Sequence, residues 1–312
     1  MLFKRLKKLY FSFYDFFKSV KSGVEVLRRE SNEQKILTAN ILTLLNQKRT
    51  EIILADIQQA EFKVFSEWKD DGIIQFLAGY INFPHKTFVE FGVEDYTEAN
   101  TRFLLVNNNW SGLIMDGSAA HMEKVRREKI YWRYELTAIA AFITAENING
   151  LISAHGFQPE VGILHIDLDG NDYFVWKASH CISPVLVIVE YNSIFGYEKP
   201  WTIPYDAAFD RMEKHYSKLY FGSSLLSLCD LAEEKGYIFI GCNSNGNNAY
   251  FIKKEYAAGL KPLTASTGYI MSRFRESQSR EGYPTLLQGD ARLAELTGMP
   301  VFNTRTHLTE LI

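Results

Sequence analysis

Thr87-Phe88-Val89-Glu90-Phe91-Gly92 is the stretch on which the fold turns, and its pattern returns twice, as Gly112-Leu113-Ile114-Met115-Asp116 and as Val161 to Ile166 followed by Asp167-Leu168-Asp169. Each is a short apolar run that ends in an acid. None shows the polar–apolar alternation of a strand with one wet face, so each reads as a strand covered on both sides. Leu136 to Phe142, before Thr144-Ala145-Glu146-Asn147, reads as a further strand region. Val185 to Val189, ending in Glu190-Tyr191-Asn192, reads as another. Helical stretches fall between them: Thr97 to Asn107 with Thr97 as N-cap, then 118–129, 147–155 and 171–179. Strand–helix alternation of this kind makes an α/β, Rossmann-like parallel sheet flanked by helices. After a helix from Ser223 to Lys235, Tyr237 to Gly241 and Ala249 to Ile252 flank the polar turn Asn243 to Asn248. That pair reads as a terminal antiparallel hairpin, giving seven strands in all.

Outward from this core, residues 1–69 read as a helical N-terminal extension and 255–312 as an irregular C-terminal extension with little strand content, contributing to an acceptor site. Leu2, Leu6, Leu9, Phe13, Phe16, Phe17 and Val20 recur at helical spacing, with Lys4, Arg5, Lys7 and Lys8 largely on the other side. Residues 1–30 carry eight Lys/Arg against three Asp/Glu. A basic amphipathic helix fits a membrane surface or an acidic partner, and equally fits packing on the body of the protein or on a second subunit. Leu37, Ile41, Leu44, Ile52, Leu54, Ile57, Phe62 and Phe65 continue the helical spacing, so a homo-oligomer, most simply a dimer, is expected.

The whole chain has 312 residues, 46% of them hydrophobic, and a net charge of −3. That composition excludes a chain disordered throughout and a strongly basic nucleic-acid binder. It has no run of about 20 apolar residues that would span a bilayer. Cys181, Cys229 and Cys242 form neither a disulfide framework nor a zinc-binding pattern. The expected compartment is cytoplasmic, with peripheral contact at the inner face of the membrane through residues 1–20.

Ligands of open α/β sheets bind beyond the carboxyl ends of the strands. Here those ends carry Glu90, Asp116, Glu146, Asp167 with Asp169, and Glu190 with Asn192. Acids gathered in this way repel one another unless a cation or a donor-rich ligand satisfies them, which argues for one shared site. Asp116 is placed to accept both hydroxyls of a ribose, and Gly92 removes a side chain where backbone must approach a ligand closely. The first loop, Phe91-Gly92-Val93-Glu94-Asp95, lacks the second and third glycines of a dinucleotide fingerprint and brings acids where a pyrophosphate would sit. A ligand with a positive centre and no phosphate fits better.

Read together, FVEFGVEDYTEANTRFLL, WSGLIMDGS, ITAENIN, LHIDLDGNDYFVW, VIVEYN and FGSSL…GYIFIGCNSNGNNAYF resemble class I S-adenosylmethionine-dependent methyltransferases. The resemblance covers roughly residues 68–254 and is closest to the FkbM-like group associated with sugar and polysaccharide biosynthesis. It implies S-adenosylmethionine as cofactor, with Glu90 and Gly92 beside its methionine part, Asp116 followed by Gly117 and Ser118 at the ribose, and Glu146 with Asn147 at the adenine. Glu94 stands near the usual second glycine of the first loop, a departure that leaves the methionine carboxylate without carried-over contacts. The implied reaction is O-methylation of a sugar, nucleotide-sugar or glycan acceptor. By the same resemblance, Asp167, Glu190 and Asn192 would hold Mg²⁺ or Mn²⁺, with Asp169, alongside Asp167, as the catalytic base. Oxygen-only ligands suit such hard cations.

Other readings stay open. Asp167 and Asp169 could cap the following helix while Asn192 closes a turn, or the acids could act as bases with no metal. A metal-dependent hydrolase and a non-catalytic scaffold are the alternative functions. His165 reads as a core histidine, and neither His121 nor His215 as a site residue. Tyr173, Tyr191, Tyr205 and Trp201 could wall a sugar ring, although ordinary packing is the simpler reading. Arg273, Arg275 and Arg280 could meet acceptor phosphates or belong to a solvated loop.

Overall fold

A computed structural model describes residues 2–157, 159–257 and 259–312, with side chains in the first helix described from residue 13 onward. Seven strands form the central sheet: β1 (Thr87–Phe91), β2 (Ser111–Asp116), β3 (Leu136–Ala140), β4 (Ile163–Ile166), β5 (Leu186–Glu190), β7 (Tyr237–Cys242) and β8 (Asn248–Lys253). The short β6 (Trp201–Thr202) lies apart from them. The order is β3-β2-β1-β4-β5-β8-β7, with β1 to β5 parallel and β8 antiparallel to both its neighbours, β5 and β7. Strand order reverses between β1 and β4, the switch point of a doubly wound, Rossmann-like sheet.

Both faces of the sheet are buried, as the unalternated apolar runs require. Phe88, Ile114, Ile163 and Ile188 enter the core on one side, and Val89, Phe91, Leu113, Met115, Leu164, Ile166 and Val187 enter the core on the other. Each such burial stabilises the fold by about 2 kcal/mol. Phe88 lies opposite Gly112 in the β1–β2 register, and a Cβ on Gly112 would stand 2.0 Å from the Phe88 ring. The bulk of one strand therefore fills the space left by its neighbour.

The N-terminal extension is one unbroken helix, α1 (Leu2–Gln47), followed by α2 (Thr50–Ala55) and a short 3₁₀ turn, Ile57–Ala60. Helical character ends there, short of residue 68. Residues 62–66 instead lay Phe62, Val64 and Phe65 into the body, where Ile36, Ala39, Leu42 and Phe103 meet them. Helix α3 (Asp70–Tyr80) then leads into β1. The stripe Phe13, Phe16, Phe17 and Val20 is exposed, so α1 docks through a different part of its surface. Leu2, Leu6 and Leu9, with Lys4, Arg5, Lys7 and Lys8, lie outside the residues whose side chains are described. Among the described residues no helix is long and apolar enough to cross a membrane.

Two element boundaries differ from the sequence reading. The helix expected from Thr97 begins at Arg102. Asp95 takes the Thr97 amide at 3.0 Å and Glu90 takes the Asn100 and Thr101 amides, so those residues bond to side chains before a helix can form. The C-terminal extension also carries two short strands, β9 (Pro300–Asn303) and β10 (Thr309–Leu311). They join β6 in a second, antiparallel sheet over a small core that includes Trp201, Ile203, Phe221, Leu296 and Val301.

Candidate functional site

A cavity of about 540 Å³ opens at the carboxyl ends of the parallel strands, at the switch point. Glu90, Gly92, Asp116, Gly117, Asp167, Asp169 and Glu190 all line it, so the acids of β1, β2, β4 and β5 do share one space.

On the β1–β2 side the acids are already satisfied. Glu90 is buried and accepts from the amides of Asn100 (2.9 Å) and Thr101 (3.1 Å) and from the Thr101 hydroxyl. His165, its neighbour in the β1–β4 register, lies 2.9 Å from Glu90 through Nδ1. Burial works against the Glu90 carboxylate, but the His165 and Thr101 bonds prevail and hold its pKa below the usual value. The same pairing, working against burial, raises the pKa of His165. The Asn100 amide sits 3.0 Å from Nε2, and a side-chain amide can serve either state of the ring by presenting oxygen or nitrogen. His165 is thus buried and bonded as a core histidine is, but it also lines the cavity. Asp116 likewise accepts from backbone, at Glu94 (2.8 Å) and Ser118 (2.7 Å), while remaining on the cavity wall. Ser118 itself caps the next helix. Gly92 is required for a different contact than expected: at φ +69°, its Cβ would stand 1.7 Å from the carbonyl oxygen of Asp167. The close approach is between the ends of β1 and β4, beside the cavity.

At the β3 end the sequence reading needs correction. Glu146 is exposed and lies off the cavity, accepting from the Tyr205 hydroxyl at 2.5 Å. Asn147 closes its own loop, accepting from Thr144 N and donating to Phe142 O. Ala141, Phe142 and Ile143 line the wall in their place. Three apolar residues carry no acid signal, and this is why the motif pointed past them.

The β4–β5 side is the reverse of the β1–β2 side. Ligand oxygens of Asp167, Asp169 and Glu190 all lie within 4.8 Å of one another. Burial, with Asp169 close by, pushes the Asp167 carboxyl up to about 8. Burial and the neighbouring Asp167 push Glu190 well above its ordinary value. Neither Asp167 nor Asp169 caps the following helix, whose N-cap is Asn171; its first residue, Asp172, reaches back instead to the amides of Leu168 (2.8 Å) and Gly170 (3.0 Å). Asp169, at φ +53°, receives Arg211 Nη1 at 2.5 Å. Asn192 is a second correction, since it is not free to hold a metal. Its Nδ2 donates to the carbonyls of Leu219 (2.9 Å) and Phe221 (3.0 Å), and its Oδ1 accepts from Ile194 N (3.0 Å), starting a 3₁₀ turn. It is buried away from the cavity.

Several lining residues carried no sequence signal. Arg211 reaches in from the segment after β6, and Glu276 from the C-terminal extension lies 3.4 Å from it. Trp68 and Phe274, far apart in sequence, stack at 5.7 Å over the same cavity. Tyr173, Tyr191, Tyr205 and Trp201, the aromatic wall the sequence offered, do not line it. Arg273, Arg275 and Arg280 are off it too, and Arg280 covers the Tyr216 ring. His121 sits 3.8 Å from Asp116, and His215 is occupied with Ser217. Asn247 and Asn248, also in the lining, could have been found: β8 runs antiparallel, so its first residues fall at the carboxyl edge of the parallel strands.

No protein-family model matches the sequence, and no curated protein matches it. Solved structures with a similar chain course include a putative caffeoyl-CoA O-methyltransferase from Staphylococcus aureus, at 13% identity and TM-score 0.40, covering 70% of this chain and 99% of that one. An S-adenosylmethionine-dependent methyltransferase from Clostridium acetobutylicum aligns at 10% identity and TM-score 0.39, over 67% of this chain and 99% of its own. The N-terminal domain of EvdMO1 with SAH bound gives 10% and 0.39, over 60% and 80%. These likenesses are of chain course alone.

Proposed function

We propose that the cavity binds S-adenosylmethionine and that the chain transfers its methyl group to a hydroxyl of a sugar or glycan acceptor, assisted by a divalent cation on Asp167, Asp169 and Glu190. One observation carries this reading. At the switch point the wall divides into an acid at the end of β2 with its carboxylate already oriented, and a second group of acids that repel each other unless something positive lies between them. A sulfonium nucleoside suits the first part of that wall. A hard cation suits the second, where Glu190 Oε2 is buried with no partner.

In the proposed reaction the acceptor oxygen forms a bond to the methyl carbon as the carbon–sulfur bond breaks, its electron pair passing to sulfur, and the acceptor proton leaves to a base. A bound cation would supply Lewis acidity to the acceptor hydroxyl. Asp169, held at Oδ1 by Arg211, would be the base, with Asp167 and Glu190 the principal holders of the cation. Asp116, oriented by two backbone amides, would bind the ribose hydroxyls. Trp68 and Phe274 would cover the acceptor, exclude water and fix the line of attack.

Calorimetry with S-adenosylhomocysteine tests the reading. Binding at about micromolar affinity is expected, weakened at least tenfold, about 1.4 kcal/mol, by Asp116→Ala. Absence of binding while Mn²⁺ still binds would favour a metal-dependent hydrolase instead.

A further inference from the structure

Asn248 is 3% exposed and lines the cavity, yet its Oδ1 is buried without a hydrogen-bond partner. Buried polar atoms are nearly always paired, so an orphaned acceptor at a cavity wall points to a ligand. Its orientation is not free. Nδ2 donates to Asp70 Oδ1 at 3.1 Å, and a carboxylate can only accept, so the amide oxygen must face the other way. Asp70 is itself fully buried and fixed by Asn243 (3.1 Å) and the Tyr250 hydroxyl (2.5 Å).

Asn248 lies directly opposite Glu190 in the β5–β8 register, and both line the cavity. Directly opposed residues of antiparallel strands have their Cβ atoms about 5 Å apart on one face of the sheet. Glu190, 8% exposed, has its own unpartnered oxygen, Oε2. Two unpartnered oxygens, one of a carboxyl and one of an amide, therefore belong to directly opposed residues of the wall that Asp167 and Asp169 also line. With Glu190 ionised, neither can satisfy the other, since a carboxylate and an amide oxygen are both acceptors. A hard cation satisfies both at once.

We propose that Asn248 Oδ1 is a ligand of the divalent cation, filling the place the sequence had offered to Asn192, and that Asp70 is the positioning residue that turns it inward. The inference rests on the cation part of the proposed function. It gives the segment before the first sheet strand a role in the site: α3 begins at Asp70, and through Asp70 it sets the ligand geometry on β8.

The test uses the full chain labelled with ¹³C-asparagine and loaded with Mn²⁺ alone. Electron–nuclear double resonance should find a hyperfine coupling from Mn²⁺ to an asparagine side-chain carbonyl carbon. Asn248→Ala should abolish that coupling and weaken Mn²⁺ binding by about tenfold or more. Asn192→Ser should keep both, and Asp70→Asn should weaken binding by a smaller factor. Bound Mn²⁺ with no asparagine coupling in the unsubstituted chain, or a coupling that survives Asn248→Ala, overturns the assignment and leaves the methyl-transfer reading standing. Failure of the unsubstituted chain to bind Mn²⁺ overturns the cation and this assignment together, while S-adenosylhomocysteine calorimetry still judges the methyl-transfer reading separately.

Discussion

The carboxylates at the ends of β1 and β2 and those at the ends of β4 and β5 are the same chemical group on the same edge of one sheet, yet they are in opposite states. Glu90 and Asp116 are surrounded by donors of the chain itself: amides, a hydroxyl and an imidazole. Asp167 and Glu190 have mainly each other and Asp169, and Glu190 keeps an unpartnered oxygen. The first pair stabilises the loops that shape the cavity. The second pair lacks such donors, and its crowding is relieved by a proton or by another positive group between its members. An acid at a strand end is thus a strut or is left without partners according to the donors the next loop brings.

The largest effect that would break this contrast is at Glu90. Glu90→Ala should lower the unfolding free energy by about 3–5 kcal/mol in urea denaturation, because it strands His165 and two buried amides. A loss under about 1 kcal/mol would mean that Glu90 is no strut.

The β4–β5 side should respond to ligand instead. Mn²⁺ at a hundred times its dissociation constant should stabilise the chain by about 2.7 kcal/mol, and chelation should reverse this. The same Mn²⁺ should leave Asp167→Asn unmoved.

Without metal, pH should act on the two sides with opposite signs. Asp167 titrates at about 8 in the fold against an ordinary 3.8, so the native state keeps a proton that the unfolded chain has released. Stability therefore falls as pH rises across that window, and Asp167→Asn should flatten the fall and stabilise the metal-free chain by about 1 kcal/mol near its upper end. Glu90 is shifted below 4.5, so its contribution is present above that value and is lost as pH falls through its folded pKa. His165, shifted above 6.5, loses its contribution as pH rises through its own folded pKa. Melting curves from pH 4 to 9 separate the three through the Asp167→Asn and Glu90→Ala variants.

The smallest effect belongs to the acid outside the cavity. Glu146→Gln should leave melting unchanged and S-adenosylhomocysteine affinity within about twofold. A tenfold loss would return Glu146 to the site.

Much of this was legible in the residues. Apolar runs without alternation gave a doubly buried sheet, the turn at Asn243 to Asn248 gave the hairpin, and terminal acids located the cavity edge. The failures have one form. Glu146 and Asn192 matched the expected residue type at a strand end, but one is turned outward by Tyr205 and the other is consumed by the carbonyls of Leu219 and Phe221. Trp68, Phe274 and Arg211 arrive from segments far away in sequence, and no local spacing announces them.

The sequence by itself determined which edge of the sheet would carry the cavity and that acids would gather there, because strand ends and side-chain chemistry are local properties. Which of those oxygens are free was decided only by the tertiary structure. A hydrogen bond needs its partner within about 3 Å, and here the partners come from other loops, other strands and the helix before β1.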